Sequence, residues 1–374
     1  MSTKSMGPVL LLLAWGASCS GEDPASDDST ASGASTSDSS VADSSSSSSP
    51  SADSTTTQSS GADSTTAGCS VVGEGPQPGQ FLAGSLISDI TEEPCTLADG
   101  TQTMCYRIEI AGEPSNHDVG PYCPRSIDDG PDDVGLWPDS GVLHDVDGAF
   151  VTDLATFYND DTWQLYDPVT GDVNVTDTQE ACLAAAMPNA PEEYLNYCVE
   201  CTIADVGGPV SDAYLIPIEP VASDTPTEIE EIPPGVSLNG VRIEFPANTE
   251  IILAAYNIAP LDDCGGHVNN GIGYHYHEST GCVAGVEQCD GHAPLMGYAQ
   301  DGYAIHEMAA EGGEEPADLD ECRGHTDDLR GYHYHAASGG ENMFIGCFRG
   351  VLVEGVGGGP GGGGPPGGGA PGGG

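Results

Sequence analysis

Two short segments of the chain carry the same arrangement of cysteine and histidine residues. The pattern Cys-x2-His-x7-His-x-His occupies residues 264–277 and returns 58 positions later in residues 322–335. Each copy ends in Gly-Tyr-His-Tyr-His, and six of the ten histidines of the chain lie in these two segments. Repetition at one fixed spacing predicts two copies of one supersecondary unit.

The spacing of the histidines favours metal binding from a β-strand. Alternate residues of a strand point to the same face, so His275 and His277 can chelate one ion while Tyr274 and Tyr276 pack on the opposite face. His267 lies across a short connection and is the candidate third ligand. We therefore predict one three-histidine site in each copy. The predicted metal ligands are His267, His275, His277, His325, His333 and His335.

Imidazole ligands also indicate which metals such sites would hold. Three imidazoles that leave one position open suit zinc or copper better than magnesium or calcium, which prefer oxygen ligands. Copper is slightly favoured because it stands highest in the Irving–Williams order. Two alternatives stay open: the six histidines could form a single two-metal centre, or they could be packed imidazoles that hydrogen-bond to the backbone and to Asp263 and Glu321.

The duplicated segments resemble the bacterial YHYH-domain family, whose members are secreted or surface proteins. Three further segments are similar to the family's opening segment, the linker between its two copies and its closing segment, namely residues 238–241, 295–305 and 345–350.

The resemblance implies a YHYH domain over residues 236–354, with its copies at residues 262–282 and 320–347. Weaker similarity extends upstream to about residue 104, with Asn116-His117 as its landmark, and His306-Glu307 departs from the family pattern. The resemblance implies this domain and no particular reaction.

The N-terminus has the features of an export signal. Residues 1–19 contain Lys4, a short apolar run, and small residues just before Cys19. This ending resembles a bacterial lipobox, in which the cysteine carries the lipid. We expect an exported protein, either an outer-membrane lipoprotein anchored through Cys19 or a secreted one.

Cysteine usage is consistent with an oxidising compartment. Of 13 cysteines, the 12 other than Cys19 form an even number suited to disulfide bonds. This demotes Cys264 and Cys322 from metal ligands to parts of the scaffold. The local pairing candidates are Cys198 with Cys201, Cys282 with Cys289, and Cys105 with either Cys95 or Cys123.

The remaining sequence predicts a mainly β fold with long loops, one or two short helices and disulfide staples. Residues 20–68 form a Ser/Thr/Asp-rich tether and residues 355–374 a Gly/Pro tail, both with a composition typical of disorder. Between them we expect a mainly β region at residues 69–235, followed by the YHYH domain. Strand-like alternation marks residues 104–110, 213–218, 236–245, 251–256, 297–305 and 344–353, and helical patterns mark residues 178–187, capped by Asp177, and a short stretch after Pro191.

The charge of the chain limits its partners. The formal net charge of −52 repels nucleic acid and anionic lipid headgroups and attracts cations. The acidic segments 128–133 and 145–148 are weak candidates for calcium, although neither matches an EF-hand loop. We therefore expect metal ions as partners and no nucleic acid. The membrane is a partner only through the lipid anchor expected at Cys19, and the sequence indicates no protein partner.

Three functions fit these observations. The first is a cell-surface or secreted protein that binds copper or zinc. The second is an extracytoplasmic enzyme that uses the same ions, either a hydrolase or a copper oxidase, with Glu278, Asp301 or Glu307 as acid or base. The third is a disulfide-stapled structural or adhesion module without metal.

Overall fold

The computed structural model describes residues 73–187, 189–230, 232–283, 285–310 and 312–356. These residues belong to one compact unit. The predicted export signal, the tether and residues 357–374 of the predicted tail lie outside the described residues. The mainly β prediction is confirmed, with 29% of residues in strands and 11% in helices.

The described residues form fifteen strands, three α-helices and three short 3-10 helices. The strands are β1 Thr91–Thr96, β2 Gln102–Ile110, β3 Leu136–Asp139, β4 Val142–Asp145, β5 Asp212–Pro217, β6 Ala222–Glu228, β7 Gly235–Ser237, β8 Arg242–Ile243, β9 Gly266–Asn269, β10 Gly273–Tyr276, β11 Leu295–Ala299, β12 Ala304–His306, β13 Gly324–Asp327, β14 Gly331–His335 and β15 Cys347–Gly350. The helices are α1 Gly148–Phe157, α2 Gln179–Ala185 and α3 Thr249–Leu253, with 3-10 turns at Pro78–Gln80, Pro131–Asp133 and Glu192–Tyr194.

Each α-helix begins at a side chain that accepts a hydrogen bond from a free backbone N–H of the first turn. Asp147 caps α1, Thr178 caps α2 and Asn248 caps α3. The prediction of a helix at residues 178–187 is confirmed, but its cap is Thr178 and not Asp177. The strand predicted at residues 251–256 is wrong: Asn248 caps this segment as α3, and its apolar residues pack onto the cluster around α1.

Eight strands form the central sheet, in the order β13-β14-β12-β11-β7-β8-β10-β9. The same arrangement occurs twice, because each half contains an antiparallel hairpin, a parallel neighbour and an antiparallel edge strand. In one half β7 pairs with β8, β8 runs parallel to β10, and β10 pairs with β9. In the other half β11, β12, β14 and β13 repeat these relations, and β7 meets β11 at the centre.

Tight turns divide two segments that were each predicted as one strand. Asn239-Gly240 separates β7 from β8, and Asp301-Gly302 separates β11 from β12, with both glycines at positive φ. Asn-Gly and Asp-Gly pairs are typical of two-residue hairpins because they tolerate this conformation. The predictions for residues 236–245 and 297–305 were therefore right in strand content and wrong in treating a hairpin as one strand.

The sheet is buried on both faces along most of its width. Behind β10 and β14 lies a large cluster that contains Tyr274, Tyr276 and Tyr334. A second cluster joins the central strands β7 and β11 to a three-stranded sheet of β1, β2 and β5. A third cluster forms around α1, with Trp137 and Trp163 at its centre.

Five disulfide bonds staple the described residues: Cys95–Cys105, Cys123–Cys198, Cys182–Cys201, Cys264–Cys282 and Cys322–Cys347. Cys95 with Cys105 agrees with one predicted pairing. The predicted pairs Cys198–Cys201 and Cys282–Cys289 are wrong, because Cys198 bonds to Cys123 and Cys282 bonds to Cys264. Cys264 and Cys322 lie in the scaffold as expected. Several disulfides point to an oxidising environment, and no helix within the described residues is long and apolar enough to span a bilayer.

Candidate metal centres

The first group of histidines consists of His267, His275 and His277, called here the three-histidine centre. His267 on β9 lies directly opposite His275 on β10, and His277 follows β10 on the same face. One nitrogen from each ring lies within 4.8 Å of the others, so the group could hold a metal ion. The structure thus brings together the three residues predicted from the first copy.

Hydrogen bonds fix how these rings are oriented. His275 Nδ1 donates to the carbonyl of Gly273 at 2.9 Å, and His277 Nδ1 donates to the carbonyl of Phe245 at 2.8 Å. His267 also bonds to the backbone of Ala259. Because a carbonyl oxygen only accepts, the proton of each neutral ring in the first two residues lies on Nδ1. Their Nε2 atoms are left with a lone pair, which is the arrangement expected of metal-ligating imidazoles.

The separation of the Nε2 atoms matches the spacing imposed by a shared ion. His275 Nε2 and His277 Nε2 are 3.1 Å apart. Two ligand nitrogens at about 2.0–2.1 Å from one metal would be separated by about 2.9 Å at a right angle and about 3.4 Å at the tetrahedral angle. Two lone pairs at this distance repel each other, and a cation between them removes the repulsion.

The second group consists of His292, His325, His333 and His335, called here the four-histidine centre. Its ligand nitrogens also lie within 4.8 Å of one another. His325 on β13 lies opposite His333 on β14, which repeats the pairing of His267 with His275. Both His292 Nε2 and His325 Nε2 are 3.0 Å from His333 Nε2.

Every Nδ1 atom of the four-histidine centre has an acceptor. The partners are the carbonyls of Ala293 for His292, Gly331 for His333 and Glu307 for His335, and the carboxylate of Asp318 for His325. His335 Nε2 is buried and has no hydrogen-bond partner. A buried polar atom without a partner is costly, and a metal ion would satisfy it.

His292 was missed by the sequence analysis. It lies in the loop before β11, outside the duplicated pattern, and no histidine stands at a matching place in the first copy. Arg330, which is 2% exposed, fixes this loop: its guanidinium bonds to both oxygens of Asp290 at 2.6 Å and to Asp327 at the end of β13 at 2.6 Å. Arg330 thereby positions His292 beside the strand that carries His333. No sequence signal placed His292 in this centre, because the pairing of Asp290 with Arg330 joins residues 40 positions apart.

The tyrosines pack on the opposite face of each strand, as predicted. Tyr274 OH donates to Asp262 at 2.8 Å, and Tyr332 OH donates to Asp320 at 3.0 Å. Tyr276 OH contacts Asn239 and His117, whereas Tyr334 OH donates to Asp301. The landmark Asn116-His117 therefore contacts the back of β10.

Burial lowers the pKa of six imidazoles in the two groups, those of His267, His275, His277, His292, His333 and His335. Loss of hydration lowers the pKa of His267 to about 4 and that of His277 to about 3. In the second centre burial lowers the pKa of His333 to about 4 and that of His335 to about 3. Neutral imidazole is the metal-binding form, so at these six rings protons do not compete with a metal ion near neutral pH.

The three carboxylates predicted as acid or base groups serve structural contacts. Glu278 accepts from the backbone N–H groups of Gly340 and Asn342, and Asp301 accepts from Tyr334 and Gly350. Glu307 accepts from Ser279. None of the three belongs to either histidine group.

The acidic segments predicted as weak calcium sites do not form a metal-binding group among the described residues. Asp129 accepts from the backbone of Arg125 and Ser126, and Asp147 caps α1. Local turn and capping contacts account for both.

The two histidine groups are separate, so the structure contradicts the single two-metal alternative. Both lie on one mainly β, disulfide-stapled scaffold, at opposite edges of the central sheet.

Comparison with known proteins confirms the family resemblance. Residues 213–318 match the model of the family described as YHYH protein. The matched segment contains the whole three-histidine centre and His292, and it ends before His325. Neither the curated proteins nor the solved structures give a match to the chain.

Proposed function

We propose that this protein binds transition-metal ions at two centres outside the cytoplasm, with copper or zinc as the bound metal. The observation that carries the proposal is the pairing of the imidazoles. In both centres Nδ1 atoms bond outward to fixed acceptors. Nε2 atoms face one another at 3.1 Å between His275 and His277, and at 3.0 Å where His292 and His325 each meet His333. A packed histidine normally turns its free nitrogen to a donor, whereas here lone pairs face one another.

The ligand chemistry supports a borderline or soft transition metal. All seven proposed ligands are imidazoles, which suit zinc and copper, while calcium and magnesium prefer oxygen. The Nε2 distances lie between the values for right-angle and tetrahedral coordination, which supports either metal. Copper stays slightly favoured by its higher intrinsic affinity for nitrogen ligands.

The expected location fits this role. The disulfides support an exported protein, and we propose that it is held at the outer membrane by a lipid on Cys19 or else secreted. In that place a metal-binding protein would sequester or deliver ions at the cell surface.

The test is metal content of the full chain after loading with zinc or copper and removal of excess ion. We expect two ions per chain in the wild type and one in each of the variants His275→Asn and His333→Asn. Asparagine can keep the hydrogen bond that Nδ1 makes to Gly273 or Gly331, so each variant loses the Nε2 ligand with little loss of structure. The double variant is expected to bind none, and competition between equal amounts of both ions identifies the preferred metal.

His144→Asn is the matched control, because His144 lies outside both centres against Phe150 and Phe157. It should keep two ions. A wild type without metal, or a folded double variant that retains it, would contradict the proposal.

A further inference from the structure

We infer that the three-histidine centre is a ligand-binding metal site, which takes a neutral, single-ring molecule with one nitrogen donor, whereas the four-histidine centre is closed. This inference rests on the proposed function, since it concerns what the bound metal does next. It assigns different roles to two centres that the sequence pattern presents as copies.

The two centres differ in the number of histidines that they contain. In the four-histidine centre the imidazole of His292 supplies a fourth ligand, and His306 packs against it with ring centroids 4.6 Å apart. The three-histidine centre has three members within the described residues. Zinc sites with four protein ligands are typically structural, while sites with three keep a position open for an exogenous ligand.

The two halves of the sheet correspond residue by residue next to the last histidine of each copy. Ile243 pairs with Tyr276 as Ile305 pairs with Tyr334. The backbone carbonyl two residues after each isoleucine accepts from the last histidine of each copy, Phe245 from His277 and Glu307 from His335.

The residues between these two landmarks are therefore equivalent, namely Glu244 and His306. A fully buried imidazole in one half is replaced by a carboxylate in the other. Glu244 forms an ion pair with Arg242 and lines a cavity together with all three histidines of the first centre. The three-histidine centre thus lines a cavity whose wall includes Glu244, at the position where the other half of the sheet carries the buried imidazole of His306.

The cavity beside the three-histidine centre is small and mostly apolar. Its volume is about 230 Å³, and its wall is mostly apolar, with Trp137, Phe245, Ile252, Leu261 and Ile272 among the lining residues. A dry cavity of about 150 Å³ accepts benzene, so this one has room for a single ring with a short substituent. Burial of such a ring removes apolar surface from water while its donor atom fills the open metal position.

The wall of the cavity also contains two acidic residues. Glu200 and Glu244 are the acidic residues that line the cavity. Each is paired with an arginine, Glu200 with Arg125 and Glu244 with Arg242, and neither an arginine nor a lysine is among the described residues that line the cavity of this strongly acidic protein. A negatively charged ligand would meet repulsion there, so the site favours a neutral donor over its anionic analogue.

The experiment uses the full chain loaded with cobalt(II), whose visible spectrum reports coordination, and two probes with the same donor atom. We expect 4-methylpyridine to change the spectrum of the wild type and of His333→Asn, which keeps the three-histidine centre, and to leave His275→Asn unchanged. Pyridine-4-carboxylate should bind at least tenfold more weakly because of its charge.

A second pair of variants tests the cavity itself. Ile272→Trp fills the cavity from the β9–β10 turn and is expected to weaken 4-methylpyridine binding at least tenfold without loss of cobalt. Leu329→Trp, at a 60% exposed position in the β13–β14 turn, is the matched control and should behave as wild type.

The outcomes separate the inference from the proposed function. Cobalt bound at both centres with no response to 4-methylpyridine, or with an equal response in His275→Asn, overturns the inference alone. A wild type that binds cobalt at neither centre overturns the inference, and one that binds neither zinc nor copper as well overturns the proposed function.

Discussion

At the scale of single residues, the Nδ1 hydrogen bonds determine what the imidazoles can do. A histidine whose Nδ1 is held by a carbonyl has one free nitrogen, and its ring cannot turn without losing that bond. His277 illustrates the consequence, because Phe245 fixes its ring while burial disfavours its protonated form. The centre is therefore organised before any ion arrives, which reduces the cost of binding.

The same burial predicts an acid-sensitive metal-free protein. An unfolded histidine is protonated below about pH 6.5, whereas His277 stays neutral in the fold until about pH 3. Between these values the unfolded chain binds the extra proton, so the free energy of unfolding falls as the pH falls. At about pH 4.5 we expect one such imidazole to cost about 2 to 3 kcal/mol relative to neutral pH.

Urea unfolding of the metal-free chain at both pH values, with and without His277→Asn, measures this cost. The variant can keep its bond to Phe245 but has no ring to protonate, so it should lose about 2 to 3 kcal/mol less than wild type. His144→Asn serves as the control. Equal losses in wild type and His277→Asn would show that this ring does not carry the pH dependence.

Residue spacing predicted six of the seven histidines that the structure brings together in the two groups, and the reason for the exception is physical. Alternation along a strand is a local rule, so His275 and His277 could be placed on one face from sequence alone. His292 reaches its centre through the tertiary contact of Arg330 with Asp290, which no local spacing encodes. The same holds for Glu244 and His306, whose equivalence depends on the pairing of strands.

At the scale of elements, each edge hairpin is held by an acidic residue and a disulfide. Asp262 accepts from the backbone of Gly120, Cys264 and Gly266 and from Tyr274 OH. Cys264–Cys282 closes the loop that contains all three histidines of the first centre, and Cys322–Cys347 closes the corresponding loop of the second. The hairpins are thus fixed at both ends.

The two acidic residues provide a matched pair for a stability prediction. Asp262 is fully buried, while Asp320, which bonds to Cys322, Gly324 and Tyr332, is exposed. We expect Asp262→Asn to lower the free energy of unfolding by about 2 to 3 kcal/mol, because it removes a charged acceptor from several buried donors. Asp320→Asn should cost about 1 kcal/mol or less, since water can replace the lost contacts. Thermal or urea unfolding of both variants measures the loss in free energy of unfolding. Equal losses in the two variants would contradict a role for burial.

Elements were predicted best where the pattern was strong and local. The strands that carry the histidines and the helix capped by Thr178 followed from alternation and capping. The segment at residues 251–256 was mistaken for a strand because its apolar run is short, and such runs do not distinguish strand from helix. Helix α1 was not predicted, because its capping residue Asp147 also belongs to the acidic segment 145–148 and was interpreted as a weak calcium candidate.

At the scale of the whole molecule, charge is distributed unevenly between signs. Eight of the 59 acidic residues lie in residues 20–68, which leaves 51 in the rest of the chain, with six arginines. Five of these arginines form ion pairs with acids: Arg107–Glu109, Arg125–Glu200, Arg242–Asp212, Arg323–Glu315 and Arg330–Asp290. The unpaired charge of the surface is therefore almost entirely negative, whereas the two centres are built from histidine side chains.

This division predicts that the surface governs how fast metal arrives and the imidazoles govern how long it stays. A negative field concentrates divalent cations and raises their association rate, but it extends only over the Debye length, about 30 Å at 0.01 M salt and about 3 Å at 1 M. We expect the association rate of zinc or copper to fall at least tenfold between these conditions, measured by stopped flow. The dissociation rate should change little, because it depends on bonds to buried nitrogens. Binding of neutral 4-methylpyridine to the cobalt-loaded chain is the internal control, since an electric field does not steer a ligand without charge. If the association rate of the metal is as insensitive to salt as that of this probe, the acidic surface has no part in metal capture.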